Sequence, residues 1–285
     1  MTDILSKIPD PDALLSDTDA EMLGVDDWQT EESILDILES GIDAWSKPKT
    51  IDRIVGLMAR VPLFVDAYVA LADPDLFPRD YLTILDRGIL AGEAYIEANC
   101  MKPISWWGDI KTRGYMRAKA KRAQHHIDRG EIDPALVDLH DLLDCNPSDN
   151  QGIRMILIAT LINDARWNEA DAAIRLYGND EALARYARVM ISWKAEYVDG
   201  RSDLALKLTE AALKHALALN AVVPAAISEP EAFGDSNGFL RAGGASEAIW
   251  VAQALRPALD ANPEAPRWIW FATLRILQGE LGQHP

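Results

Sequence analysis

Cysteine is nearly missing from this sequence. Only Cys100 and Cys145 occur, at no spacing that forms a metal pattern. Two buried free thiols in a reducing compartment are the simplest reading, with a disulfide as the alternative. Basic residues are also short: 28 Lys and Arg stand against 45 Asp and Glu, a formal charge of −17. Such a chain is repelled by nucleic acid and by anionic membrane, so neither is an expected partner unless a local basic patch reverses the field. The shortage is uneven. Residues 1–100 hold 21 acidic and 7 basic residues, whereas residues 101–285 hold 24 and 21, so such a patch belongs in the second part.

Long apolar runs are lacking too. The longest, Met155 to Ile162, is interrupted by Thr160 and falls well short of the roughly 20 residues that span a bilayer. The opening residues Met1-Thr2-Asp3-Ile4-Leu5-Ser6-Lys7 have no signal-peptide core. A soluble, cytoplasmic protein is expected. No H-E-x-x-H, paired C-x-x-C or G-x-S-x-G motif occurs. Gly234-Asp235-Ser236-Asn237-Gly238 follows no strand and has no lysine in register, which argues against a phosphate loop. His125 and His126 are adjacent, so on a helix their side chains diverge by about 100° and suit one metal poorly. His140, beside Asp138 and Asp141, reads as a surface residue. No catalytic residue, metal or cofactor is expected.

What is present is a repeat. Asp133-Pro134-Ala135, Asn168-Glu169-Ala170 and Asp203-Leu204-Ala205 place three alanines 35 residues apart, twice running. Five residues before each stands a small residue, Gly130, Ala165 or Gly200, which closes an apolar helical run. A helix–turn–helix unit with a period near 34 is the mark of a tetratricopeptide (TPR) repeat. The spacing predicts an all-α, right-handed TPR-like solenoid of stacked antiparallel helix pairs. The clearest repeats span 112–147, 148–180 and 181–217.

Around that core, residues 1–27 mix Asp, Pro and Ser with short apolar pairs and read as a poorly ordered acidic tail, with one docking turn at Ala13-Leu14-Leu15. Residues 28–285 then form one helical-repeat domain. Ile34, Leu35, Ile37, Leu38, Ile42 and Trp45 give its first helix an apolar stripe, and Met101 to Asp109 reads as a connector packed by Trp106 and Trp107. Prolines and glycines make 221–244 a long loop, of a length that is usually functional or disordered. Capping helices follow over 245–280, the last carrying Trp268, Ile269, Phe271, Leu274 and Ile276. Most of the nine tryptophans sit on apolar stripes, which makes core anchoring their expected role.

Particular wording goes beyond this periodicity. Thr112-Arg113-Gly114-Tyr115-Met116-Arg117-Ala118, then Asn146-Pro147-Ser148-Asp149-Asn150-Gln151-Gly152-Ile153-Arg154, resembles bacterial TPR proteins related to the suppressor-of-tumorigenicity-seven family. The resemblance continues through the Pro224 to Phe239 loop into Ser246-Glu247-Ala248-Ile249 and covers residues 60–275. It implies a TPR-like α-solenoid without enzymatic chemistry. The eukaryotic relatives carry a membrane-spanning N-terminus that this sequence lacks, so no membrane role carries over. Gly114 stands where bacterial relatives often have proline.

The one unusual charge cluster is basic. Lys111, Arg113, Arg117, Lys119, Lys121, Arg122 and Arg129 crowd one helix with His125 and His126. Arg113, Arg117 and Lys121 share a face at i, i+4 and i+8. The repeat adds neighbours, since Arg154 lies 35 after Lys119 and Arg185 lies 35 after Asn150. Arg113, Arg117, Lys121, Asn150, Arg154, Arg185 and Arg188 are therefore the candidate partner-binding residues. On one concave surface they would hold the carboxylates of an acidic peptide. The simpler alternative is a solvated basic face balancing acidic helices. Arg122 and His126 occupy positions that the repeat usually fills with apolar residues, either snorkelling or turned to the groove. The expected function is a non-catalytic interaction scaffold binding a protein or peptide. A dispersed active site under the 221–244 loop and a self-assembling repeat protein are the alternatives.

Overall fold

The computed structural model describes residues 3–17, 27–39, 47–99, 106–178, 180–200, 203–233 and 240–281. Outside these residues lie Cys100, Ile42, Trp45, the connector's residues 101–105, the far part of the acidic tail at 18–26 and the Gly234-to-Gly238 stretch. Leu38, Leu204, Ala205 and Leu206 fall on described backbone, but their side chains do not belong to the described set. Every regular element is helical, and there is no strand among the described residues. No helix there is long and apolar enough to cross a membrane. The chain divides into two compact units, Met1–Ile153 and Arg154–Pro285.

The first unit contains α1 (Pro11–Asp17), α2 (Trp28–Glu39), α3 (Pro48–Met58), α4 (Val65–Leu71), α5 (Tyr81–Ala98), α6 (Ile110–Asp128) and α7 (Ile132–Cys145). Its centre is the mutual packing of α4, α5 and α6, with α7 against α6 and α1 against α5. Glycine permits that approach. A Cβ added at Gly92 of α5 would lie 2.6 Å from the Tyr115 ring of α6, and one at Gly88 would lie 2.8 Å from the Tyr68 Cβ of α4. Gly114 of α6 likewise faces Val65 of α4 at 3.0 Å. A larger residue there would separate the helices.

Helix starts follow local chemistry. Pro48 opens α3, where its missing N–H removes nothing. Asp109 caps α6 by accepting from the Lys111 amide at 2.9 Å. Asp27 precedes α2 and accepts from the Thr30 hydroxyl at 2.6 Å and the Thr30 amide at 3.1 Å. The Thr30 hydroxyl bond is the main cause holding the Asp27 carboxyl below its ordinary range.

The acidic tail differs from expectation over residues 3–17, which fold onto the first unit. Ile4 and Ile8 are buried. Arg87 of α5 donates to Leu5 O at 2.6 Å and Ile8 O at 3.1 Å, and reaches Asp10 at 3.3 Å. Two isoleucines four residues apart were hidden among Asp, Pro and Ser, and the guanidinium that binds the carbonyls of this turn lies about 80 residues away in sequence.

The second unit contains α8 (Ile153–Asn163), α9 (Trp167–Tyr177), α10 (Ala182–Trp193), α11 (Asp203–Leu219), α12 (Val223–Ser228), α13 (Ala245–Ala254), α14 (Arg256–Ala261) and α15 (Glu264–Leu281). A π-helical turn, Lys194–Val198, continues α10. α10 packs on α9, α11 and α13, while α15 packs on α11 and α12. Polar side chains tie these pieces. The Tyr186 hydroxyl donates to Asn220 O at 2.8 Å, and Asn220 Nδ2 donates to Gly244 O and the Glu247 carboxylate, each at 2.9 Å. Asn163 donates to Ala254 O at 2.9 Å and accepts from the Ala258 amide at 3.1 Å, bridging the break between α13 and α14. Within the expected 221–244 loop, Val223–Ser228 is helical, with Val223, Pro224, Ala226 and Ile227 buried. Pro224 marks a helix's first turn there instead of breaking one.

Two turns repeat the same geometry. After α6, the Gly130 amide donates to Ile127 O and the Glu131 amide to His126 O. After α8, the Ala165 amide donates to Ile162 O and the Arg166 amide to Leu161 O. Gly130 has φ +72° and Ala165 φ +57°, the left-handed residue of a helix C-cap. Gly200 has φ +67°. Ala135 and Ala170, which follow the first two turns, are fully buried.

Candidate functional site

The basic helix α6 turns its cations onto the first unit itself. Arg117 grips Asp66 of α4 at 2.5 and 3.1 Å. Lys121 donates to Val69 O at 3.0 Å and Ala72 O at 3.2 Å, neutralising the carbonyl end of α4. Arg113 donates to Trp107 O at 2.9 Å and lies 5.0 Å over the Trp107 ring. So the shared face of Arg113, Arg117 and Lys121 exists, and its partners are α4 and Trp107.

Neighbouring cations follow suit. Lys111 pairs with Glu31 at 2.5 Å. Arg122 forks onto Asp138 of α7 with two contacts of 2.8 Å and adds Asp86 of α5 at 2.7 Å. Asp138 is 1% exposed, so Arg122 fills its apolar-type position as the half-buried partner of a buried carboxylate. Its hydrogen bonds to Asp138 raise the guanidinium's affinity for its proton above the ordinary value. Lys119 meets Asp141 at 2.6 Å. Burial opposes the Lys119 charge, but the bonds to Asp141 and Tyr115 outweigh it and raise the ammonium's pKa. Burial also pushes the Tyr115 hydroxyl up to about 12. His126 and Arg129 close on Glu131 at 2.7 and 2.9 Å.

Asn150, in the first unit, donates to Asn146 Oδ1 at 3.0 Å. In the second unit, Arg154 pairs with Glu181 at 2.7 Å, and Arg188 meets Asp171 at 3.2 Å. Arg185 makes no ion pair among the described residues, and its shielded Nε finds no hydrogen-bond partner there. Cys145 is a free thiol pushed up to about 11 by burial, poorly suited to nucleophilic work.

A second constellation escaped sequence reasoning. In the second unit, the π turn and α15 enclose a cleft of about 660 Å³ lined by Trp193, Tyr197, Val198, Trp268, Phe271 and Arg275, with Glu264, Arg267 and Ala272 completing it. On α15, residues 264, 267, 268, 271, 272 and 275 fall on one helical face. The adjoining face, Ala265, Ile269, Ala272 and Ile276, is buried in the core. Trp193 floors the cleft and stacks on Tyr197, with centroids 6.0 Å apart and 21° between planes. Trp268 Nε1 donates to the Tyr197 hydroxyl at 2.6 Å, and burial raises the Tyr197 phenol. Behind it, Glu196 is buried and accepts from the Thr209 hydroxyl, while its Oε1 has no partner among the described residues. Phe271 is nonetheless 65% exposed and Tyr197 44%. The available signal was the breadth of the apolar arc on α15. Trp268, Phe271 and Ile269 cannot all face one core, because they spread over more of the helix than a single buried stripe.

Comparison with protein-family models, with curated proteins and with solved structures returns no match. The resemblance to suppressor-of-tumorigenicity-seven relatives therefore rests on the quoted sequence phrases alone.

Proposed function

We propose that the protein is a non-catalytic interaction scaffold that seats a peptide segment of a protein partner in the aromatic cleft formed by the π turn and α15. The carrying observation is the exposure of Phe271 and Tyr197 over a tryptophan floor, edged by arginine. Trp, Tyr and Arg are the residue types that dominate binding energy at protein interfaces. A π turn and a helix that each leave one aromatic ring uncovered, beside the helix's already buried core face, form a surface suited to a partner. The basic helix supports the same choice from the other side, because Arg117, Lys121 and Arg122 are engaged within the fold. This reading retains TPR-like repeats in solenoid order as its architecture, supported by the two matched turns and the buried Ala135 and Ala170.

One observation favours a second surface. Arg185 carries a shielded, unpaired Nε, and the rest of its planar fork is suited to a carboxylate. With Arg154 and Arg188 it keeps the groove expected from the repeat spacing as the alternative contact surface.

Peptide-display selection on the wild-type protein tests the choice. The expected result is a set of peptides that lose about tenfold or more in affinity on Phe271→Ser. Peptides that bind the Phe271→Ser variant as well as wild type, but fail on Arg185→Gln, would move the site to the groove.

A further inference from the structure

The cleft also carries a charge pattern, and resting on the scaffold reading above, we propose that its occupant is an extended acidic peptide. The peptide bears two carboxylates four residues apart, on either side of one large aromatic side chain. Arg267 and Arg275 lie eight residues apart on α15, about 12 Å along the helix axis. Four residues of extended chain cover about 13 Å, so carboxylates at that spacing meet both guanidiniums at once. Between the arginines lie Trp268 and Phe271, with Tyr197 opposite. A ring at the centre of the peptide would enter there.

Both cations are available. Arg275 makes no ion pair among the described residues. Arg267 has a loose contact with Glu264 at 3.6 Å, with the two side chains 74% and 72% exposed. A pair that open is weak and readily exchanged for a bidentate carboxylate. The charged groups lining the cleft are Arg267, Arg275 and Glu264, a local excess of one positive charge in a chain of net charge −17. That surrounding field disfavours acidic peptides elsewhere on the surface, so selectivity falls on those that place carboxylates on these two arginines. A small aromatic anion with one carboxylate would reach a single arginine. A second copy would set a net charge of −17 against the same charge on this chain, a repulsion far larger than a peptide with two carboxylates meets.

The test is fluorescence polarisation with the full chain and labelled seven-residue peptides. The reference peptide has tryptophan at its fourth position, glutamate at its second and sixth, and glycine elsewhere. Control peptides replace both glutamates by glutamine, move them next to the tryptophan, or replace the tryptophan by glycine. The expected order has each control about tenfold or more weaker, a difference of roughly 1.4 kcal/mol. Arg267→Gln/Arg275→Gln should remove the preference for glutamate over glutamine, while its melting temperature stays near wild type. If the glutamine peptide binds equally well and still loses affinity on Phe271→Ser, the acidic claim is overturned and the cleft reading survives. If no tryptophan peptide binds, or binding ignores Phe271→Ser, both fall. Light scattering that shows a dimer abolished by Phe271→Ser would assign the cleft to a second copy and likewise overturn the proposal.

Discussion

Ala165 is the clearest single-residue tension in the structure. It holds φ +57° in a turn whose counterpart is Gly130, and a left-handed L-residue is strained by about 1–2 kcal/mol. Glycine would relieve that strain while adding freedom to the unfolded chain. Ala165→Gly is therefore expected to stabilise the protein by up to about 1 kcal/mol, read as a higher urea midpoint. A lower midpoint would show that the alanine methyl contributes contacts the turn needs. Arg122 offers the opposite case. Removing it leaves Asp138 buried beside Lys119, whose nitrogen is 4.0 Å away. Arg122→Ala should destabilise by about 3 kcal/mol, whereas Arg122→Leu combined with Asp138→Leu should come close to neutral. Equal losses in the two variants would mean that the pair itself supplies net stability.

At the scale of elements, the close approach of α5 to α6 is the feature most sensitive to volume. Gly92→Ala improves helix propensity by about 1 kcal/mol, yet the new Cβ would lie 2.6 Å from the Tyr115 ring. Overpacking, typically about 1–3 kcal/mol, should outweigh that gain and leave a net loss of up to about 2 kcal/mol in chemical denaturation. The α6–α7 turn carries a pH dependence. Arg129, and then His126, hold the Glu131 carboxyl below its ordinary value of 4.5. A depressed carboxyl stabilises the fold above its unfolded pKa and loses that contribution as pH falls through the folded one. Wild type should therefore melt above Glu131→Gln near neutral pH, and the gap should close as pH falls below the ordinary carboxyl range. A gap that persists in acid would show that the contribution is steric and not ionic.

Legibility also divides at this scale. Gly130, Ala165 and Gly200 stood out in the sequence because a helix C-cap demands a small residue, and the 35-residue spacing exposed the demand. The partners of α6 did not stand out. Asp66, Asp86 and Asp138 lie on three other helices, and periodicity within one helix says nothing about which distant carboxylate faces it. For the same reason a basic stripe that pairs within the fold looks identical, in sequence, to one that faces a ligand. The cleft was hidden differently. Trp268 and Phe271 read as core because helical spacing marks an apolar residue without saying that α15 already buries another face. A π turn at Lys194–Val198 leaves no sequence signature at all.

For the whole molecule, the central claim is that contact with a partner runs through the aromatic cleft and not through the basic helix. Each surface contains its own tryptophans, so indole signals distinguish them. Trp268 donates its Nε1 proton to Tyr197 within the cleft, whereas Trp107 lies under Arg113 beside α6. The direct measurement is a nitrogen–proton NMR titration of the indole signals with the glutamate–tryptophan–glutamate peptide, each signal assigned by single Trp→Phe variants. The account predicts that the Trp268 and Trp193 signals move with added peptide while that of Trp107 stays in place. Movement of Trp107 with a stationary Trp268 would contradict it and return the site to the basic helix.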